Sequence, residues 1–198
     1  MPIVIHTWMK AIARLRISLY WMIAGMVCLL MGCPTPSEWN QQWEHYNTLL
    51  SRGQLQEANE LLHRLLPTVR VKGPTDERLA LVVFHLGEVS RLEGHESQAE
   101  AYYWEALPLF AESVGPEHLR MAEPLTALAS LYHHKDQPKV AIPLLKRALA
   151  IREKSWGISN PQLLPTLQAY QALLLTTGYT EEAMEVTSRI ERIAKKLS

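Results

Sequence analysis

Leu125-Thr126-Ala127-Leu128-Ala129-Ser130-Leu131-Tyr132 places apolar residues at i, i+3, i+4 and i+7, the spacing of one face of an amphipathic helix. Lys135-Asp136-Gln137-Pro138 interrupts the pattern, and Ala141, Leu144, Leu145, Ala148 and Ile151 then restart it. The stretch therefore reads as two helices folded back on each other across a short turn. An earlier stretch has the same form: Val83, Leu86 and Gly87, a break at Gly94, then Ala99, Tyr103, Ala106 and Leu109. Glycine ends the first helix of such a pair because it enters the left-handed conformation at low cost.

The pairs recur with a fixed period. Gly53, Gly94, Asp136 and Gly178 are separated by 41, 42 and 42 residues, and five residues after each stands an alanine: Ala58, Ala99, Ala141 and Ala183. Gly73, Gly115 and Gly157 form a second ladder, spaced by 42 and 42. Periods of this size mark arrays in which each supersecondary unit buries its apolar face against its neighbours. An alanine near the start of each second helix lets two backbones approach closely.

Ala148-Leu149-Ala150-Ile151-Arg152-Glu153-Lys154-Ser155-Trp156-Gly157, followed by Asn160-Pro161, resembles the second-helix ending, glycine turn and next-helix entry of tetratricopeptide repeats, in particular the 42-residue type of kinesin light chains. Ala106-Leu107 with Gly115-Pro116-Glu117-His118 is a looser copy, and Gly73-Pro74-Thr75-Asp76 a third. The resemblance covers residues 38–198. It implies an all-α fold, a right-handed α-solenoid of about four helical hairpins with one concave face. Pro108 and Pro143 fall inside second helices and are expected to distort them locally.

The first 33 residues have a different character. Lys10, Arg14 and Arg16 precede an uncharged apolar run from Ile17 to Met31, and no acidic residue occurs before Glu38. That pattern describes an export signal, and the apolar run is shorter than the roughly 20 residues a spanning helix needs. Leu30-Met31-Gly32-Cys33 resembles the lipobox of bacterial lipoproteins. The resemblance implies a signal peptide over residues 1–32, acylation of Cys33 and a lipidated tether over 33–37. The alternative is a cytoplasm-facing adaptor held by an uncleaved N-terminal anchor with Cys33 as a bystander, and Met9 is a second candidate start. Removing residues 1–32 takes three basic and no acidic side chains, leaving 17 Lys+Arg against 20 Asp+Glu. By resemblance to enteric sorting, Pro34 after Cys33 points to the outer membrane, with the array on its periplasmic face.

Lys+Arg and Asp+Glu balance at 20 each, so no nucleic-acid partner is expected. Cys28 and Cys33 are the only cysteines, too few and too close to the N-terminus for a disulfide framework. No Gly-rich phosphate loop, Gly-x-Ser-x-Gly or His-Glu-x-x-His occurs, so neither an enzyme nor a cofactor is expected. Adjacent His133 and His134 diverge by about a hundred degrees on a helix, and His85 with Glu88 offers two ligands only, so no metal is assigned.

In the tetratricopeptide family the first helix of each hairpin lines the groove. Its groove positions fall on Trp43, Glu44 and Asn47; on Phe84, His85, Glu88 and Arg91; on Thr126, Ser130, His133 and His134; and on Gln168. The resemblance thus implies a surface for a protein or peptide partner, with aromatic and Arg anchors. Trp43 and Phe84 either face that groove or pack between repeats. The Lys/Asn clamp of co-chaperone members has no counterpart, because the third unit carries Glu123 and Ala127. The kinesin-light-chain asparagine before the Leu-Ala pair is replaced by His85, Ala127 and Ala169. Lys146, Arg147, Arg152 and Lys154 lie on a second helix and are expected to face outward. The expectation is a lipid-anchored adaptor at a bacterial envelope membrane.

Overall fold

The computed structural model describes residues 36–196, which hold eight α-helices, two short 3-10 turns and no strand. The signal-peptide reading, Cys33 and the first three tether positions lie outside the described residues. The helices are α1 (Pro36–Ser51), α2 (Leu55–Arg70), α3 (Glu77–Leu92), α4 (Glu96–Ser113), α5 (Ala122–His134), α6 (Pro138–Trp156), α7 (Leu164–Thr176) and α8 (Thr180–Ala194). Among these residues no helix is long and apolar enough to cross a membrane.

Two compact units divide the chain after His45. In the first, the described part is the opening of α1, where Trp39 and Trp43 stack one turn apart at 5.3 Å. The second runs from Tyr46 through α8. Within it α3 packs on α4, α5 on α6 and α7 on α8 as hairpins, while α2 against α3, α4 against α5 and α6 against α7 join them in series. This is the all-α, solenoid-type stacking that the period implies.

Both ladders have a backbone meaning. Gly53, Gly94, Asp136 and Gly178 all take positive φ, Asp136 at 54° being the non-glycine case. At each, the helix end closes with the same pair of bonds: Gly94 N–H donates to the Arg91 carbonyl at 3.1 Å and His95 N–H to that of Ser90 at 2.8 Å. Asp136 and Gln137 repeat the pattern on His133 and Tyr132 at 3.0 and 2.8 Å. These paired bonds satisfy carbonyls that the helix end leaves open.

The second ladder starts the next unit. After Gly73, Gly115 and Gly157, all at positive φ, the residue three positions on caps the following helix or 3-10 turn. Asp76 accepts from Arg78 N–H at 3.1 Å, His118 Nδ1 from Arg120 N–H at 3.3 Å, and Asn160 from Gln162 N–H at 2.9 Å.

The alanine ladder is fully buried at all four positions. Around Ala141 and Ala183 gather Leu145, Leu163, Leu167, Tyr170 and Leu174, so each alanine marks close contact between the two helices of a hairpin. Pro108 and Pro143 do not break their helices. Both are exposed, and α4 and α6 are continuous through them, so the carbonyls freed by the missing N–H groups lie on the solvent side.

Candidate functional site

A cleft of about 390 Å³ opens between the first helices α3 and α5. Glu88 and Arg91 line it from α3, and Glu123, Thr126, Ala127 and Ser130 from α5, with Phe84 at its floor. The end of α6 adds Arg152. That last residue corrects the expectation that every basic residue of the second helix faces outward. The cause is helix length: α6 has 19 residues and α5 has 13, so in the antiparallel hairpin the last turns of α6 reach the rim of the inner face. Lys146, Arg147 and Lys154 are exposed as expected.

Phe84 is the second correction. It is 6% exposed and does not offer a ring to a partner. Its ring packs on Tyr103 at 5.8 Å, Phe110 at 6.4 Å and His85 at 5.1 Å, so it belongs to the core under the cleft. Gly87, one turn along the helix, explains the depth of this packing: a Cβ there would stand 2.6 Å from the Tyr103 ring. His85 is also withdrawn, its Nδ1 lying 3.2 Å from the Tyr46 hydroxyl. Burial depresses its pKa to about 4, with attraction from Glu88 opposing and repulsion from Arg120 adding to the shift. At neutral pH this imidazole is uncharged.

Glu88 ties the floor to the wall. It accepts from the buried Tyr103 hydroxyl and, at 2.9 Å, from Arg91 Nη2. That hydrogen bond raises the pKa of Arg91 further, while burial, with the Glu88 hydrogen bond added, raises that of the Tyr103 phenol. Arg152 is held differently. Its Nη1 donates to Thr166 Oγ1 on α7 at 2.6 Å, and Thr166 is itself 4% exposed. Burial lowers the Arg152 pKa from its ordinary value and Glu123 opposes that shift. A guanidinium begins so high that it stays charged.

Of the other groove positions read from the sequence, Asn47, His133 and Gln168 are exposed but lie outside this cleft. Trp43 is half-buried beside Trp39 in the first unit. Glu88, Arg91, Thr126 and Ser130 are the expected residues that the fold brings together, joined by Glu123 and Arg152. Among the described residues, no three His, Cys, Asp or Glu side chains converge as metal ligands would. A larger cleft of about 930 Å³ lies between α6 and α8. Two ion pairs cross it, Lys146 with Glu182 at 3.0 Å and Arg189 with Glu153.

Residues 97–154, which comprise most of α4, all of α5 and most of α6, match the family model for the tetratricopeptide repeat. Over these residues the chain is similar to the tetratricopeptide repeat. Solved repeat proteins share the fold: BtubC (BKLC) from P. vanneervenii superposes with a TM-score of 0.69 at 24% identity, over 77% of this chain and 61% of that one. This chain therefore spans less than two thirds of that protein. A protein assigned as a kinesin light chain from Podosopora anserina, with nearly identical TPR-like repeats, gives 0.65 at 22% identity over 83% and 78% of the two chains. YrrB, a TPR protein with an unusual peptide-binding site, gives 0.55 at 20% identity over 75% and 64%. No protein of curated function matches the sequence. Repeats of this kind build scaffolds for protein–protein interaction, and the inner face of this one carries the cleft.

Proposed function

We propose that the protein is a lipid-anchored adaptor, held at a bacterial envelope membrane through Cys33, that receives a segment of a partner protein in the cleft between α3 and α5. The observation that carries the binding reading is the cleft itself: four first-helix residues, Glu88, Arg91, Thr126 and Ser130, converge there with Arg152. Structural neighbours of the same fold include one described as having a peptide-binding site, which supports a peptide or protein ligand over a small molecule. The anchoring reading rests on the sequence alone, on the uncharged run from Ile17 to Met31 ending in Gly32-Cys33. Two acyl chains suffice for stable anchoring, whereas one gives only reversible attachment. The periplasmic face of the outer membrane is the proposed location, and no catalytic role is proposed.

The two parts are tested separately. A photocrosslinking amino acid in place of Ser130 should capture a protein in living cells, and the same group in place of Lys154 on the outer face should not. Capture from Lys154 alone would reverse the assignment of the binding face. Mass spectrometry of the N-terminal peptide should show acylated Cys33. Unmodified full-length chain would replace the lipid anchor with an uncleaved apolar one.

A further inference from the structure

Among the described residues, arginines and lysines that are partly withdrawn from solvent are, with one exception, matched to a carboxylate. Arg78 pairs with Asp76 at 2.6 Å, Lys135 with Glu100, and Arg189 with Glu153. Arg152 is the fourth half-buried cation among the described residues, and no carboxylate lies within 4.0 Å of it. Its hydrogen bond to the neutral Thr166 hydroxyl occupies Nη1. The edge formed by Nε and Nη2 is left with two parallel N–H donors. A desolvated charge without its counter-ion is costly, and a complementary charge arriving from outside recovers that cost.

Resting on the reading that the inner cleft receives a partner segment, we infer that Arg152 is the anchor for an acidic side chain, Asp or Glu, within that segment. The Nε–Nη2 edge accepts a carboxylate in the two-bond arrangement that arginine favours. The charge of the cleft selects a monoanion. Glu88 is already engaged by Arg91, and Glu123 lines the same cleft, with no hydrogen bond or ion pair of its own among the described residues, close enough to act on Arg152 through space. A phosphate dianion would thus face one open cation and a flanking carboxylate. An acidic side chain is favoured over a chain terminus because the cleft is shallow and open to solvent. Ser130 is exposed on the same face, so the backbone on either side of the acidic residue can run on past it. Glu123 is then a resident competitor: it holds weakly, through space, the cation the ligand will take.

The probe is N-acetyl-glutamate N-methylamide, titrated at constant ionic strength into the full 198-residue chain in a mild non-ionic detergent. The Arg152 Nε–H signal and the Ser130 and Ala127 amide signals are followed by NMR. All three should move saturably and together, and the glutamine analogue should leave them in place. Arg152→Lys keeps the charge but loses the fork, and should weaken the response at Ser130 and Ala127 by on the order of tenfold. Glu123→Gln should tighten it severalfold. Thermal melts of both variants establish that they remain folded. An equal response to the glutamine analogue, no saturation, or no effect of Arg152→Lys would overturn the inference. N-acetyl-alanine with a free carboxylate, binding in preference to the glutamate probe, would overturn it in favour of a chain terminus. If the Ser130 crosslink captures a partner while the probes fail, the carboxylate anchor falls and the binding face stands. If both fail, the binding face falls as well.

Discussion

His85 makes the stability of the fold depend on pH in a direction that can be worked out from its surroundings. The imidazole sits between Tyr46 and Phe84, where burial depresses its pKa to about 4. In the unfolded chain it titrates near 6.5. Between those values the unfolded state binds a proton that the folded state refuses, so stability is fully present above about pH 6.5 and falls as the pH drops toward 4. The whole interval corresponds to about 3 kcal/mol, and about 2 kcal/mol of it is lost by pH 5. Other groups also titrate in this window, so the informative quantity is a double difference. Urea unfolding of the wild type and of His85→Gln should be compared at pH 7.5 and pH 5. Glutamine keeps a polar group opposite the Tyr46 hydroxyl and carries no charge at either pH. The wild type should lose about 2 kcal/mol more than the variant on acidification. Parallel losses, within about 0.5 kcal/mol, would mean that the folded state accommodates the imidazolium and that the reasoning from burial is wrong.

Gly87→Ala should destabilise the protein by about 2 kcal/mol, because the new Cβ meets the Tyr103 ring at 2.6 and 2.7 Å and the gain in helix propensity is smaller; thermal melting checks it. Asp136→Gly should raise stability by up to about 1 kcal/mol, since the site holds φ at 54°, where a Cβ is a liability. Ala141→Trp should unfold or loosen the array, as that position is fully buried between α5 and α6; an unchanged melt would place Ala141 outside that contact.

The period was legible because it is written in glycine and alanine, residues whose roles follow from the backbone alone. Both glycine ladders fall on positive-φ turns, and the alanine ladder falls on close helix contacts. Asp136, aligned with three glycines, was legible as a turn for the same reason. The inner face was legible only where a polar residue on a first helix has nowhere else to point, as with Ser130 and Arg91. Phe84 occupies a groove position by count, yet the missing side chain at Gly87 lets its ring settle against Tyr103 and Phe110. That depends on three residues far apart in sequence. Arg152 is not legible from its helix alone, because the repeat resemblance implies an outward face for second helices. The signal was available in the distance from the Pro138 turn to Gly157, which makes α6 longer than its partner. The carboxylates that join tyrosines to cations, Glu88, Glu100 and Glu182, leave no local pattern at all.

The joints of this array are interchangeable. Gly73, Gly115 and Gly157 share a backbone conformation, and the residue three positions after each returns its N–H to the glycine carbonyl at 3.2 Å. A cut after one of these glycines therefore leaves an end that fits any of the other two. A duplicate of residues 116–157 spliced in after Gly157 would meet on both sides the geometry its termini already have, and would lengthen the inner face by one hairpin, roughly 10 Å. Such a chain grows or shrinks in whole cassettes, so its reach along a partner is set by how many times one segment is copied.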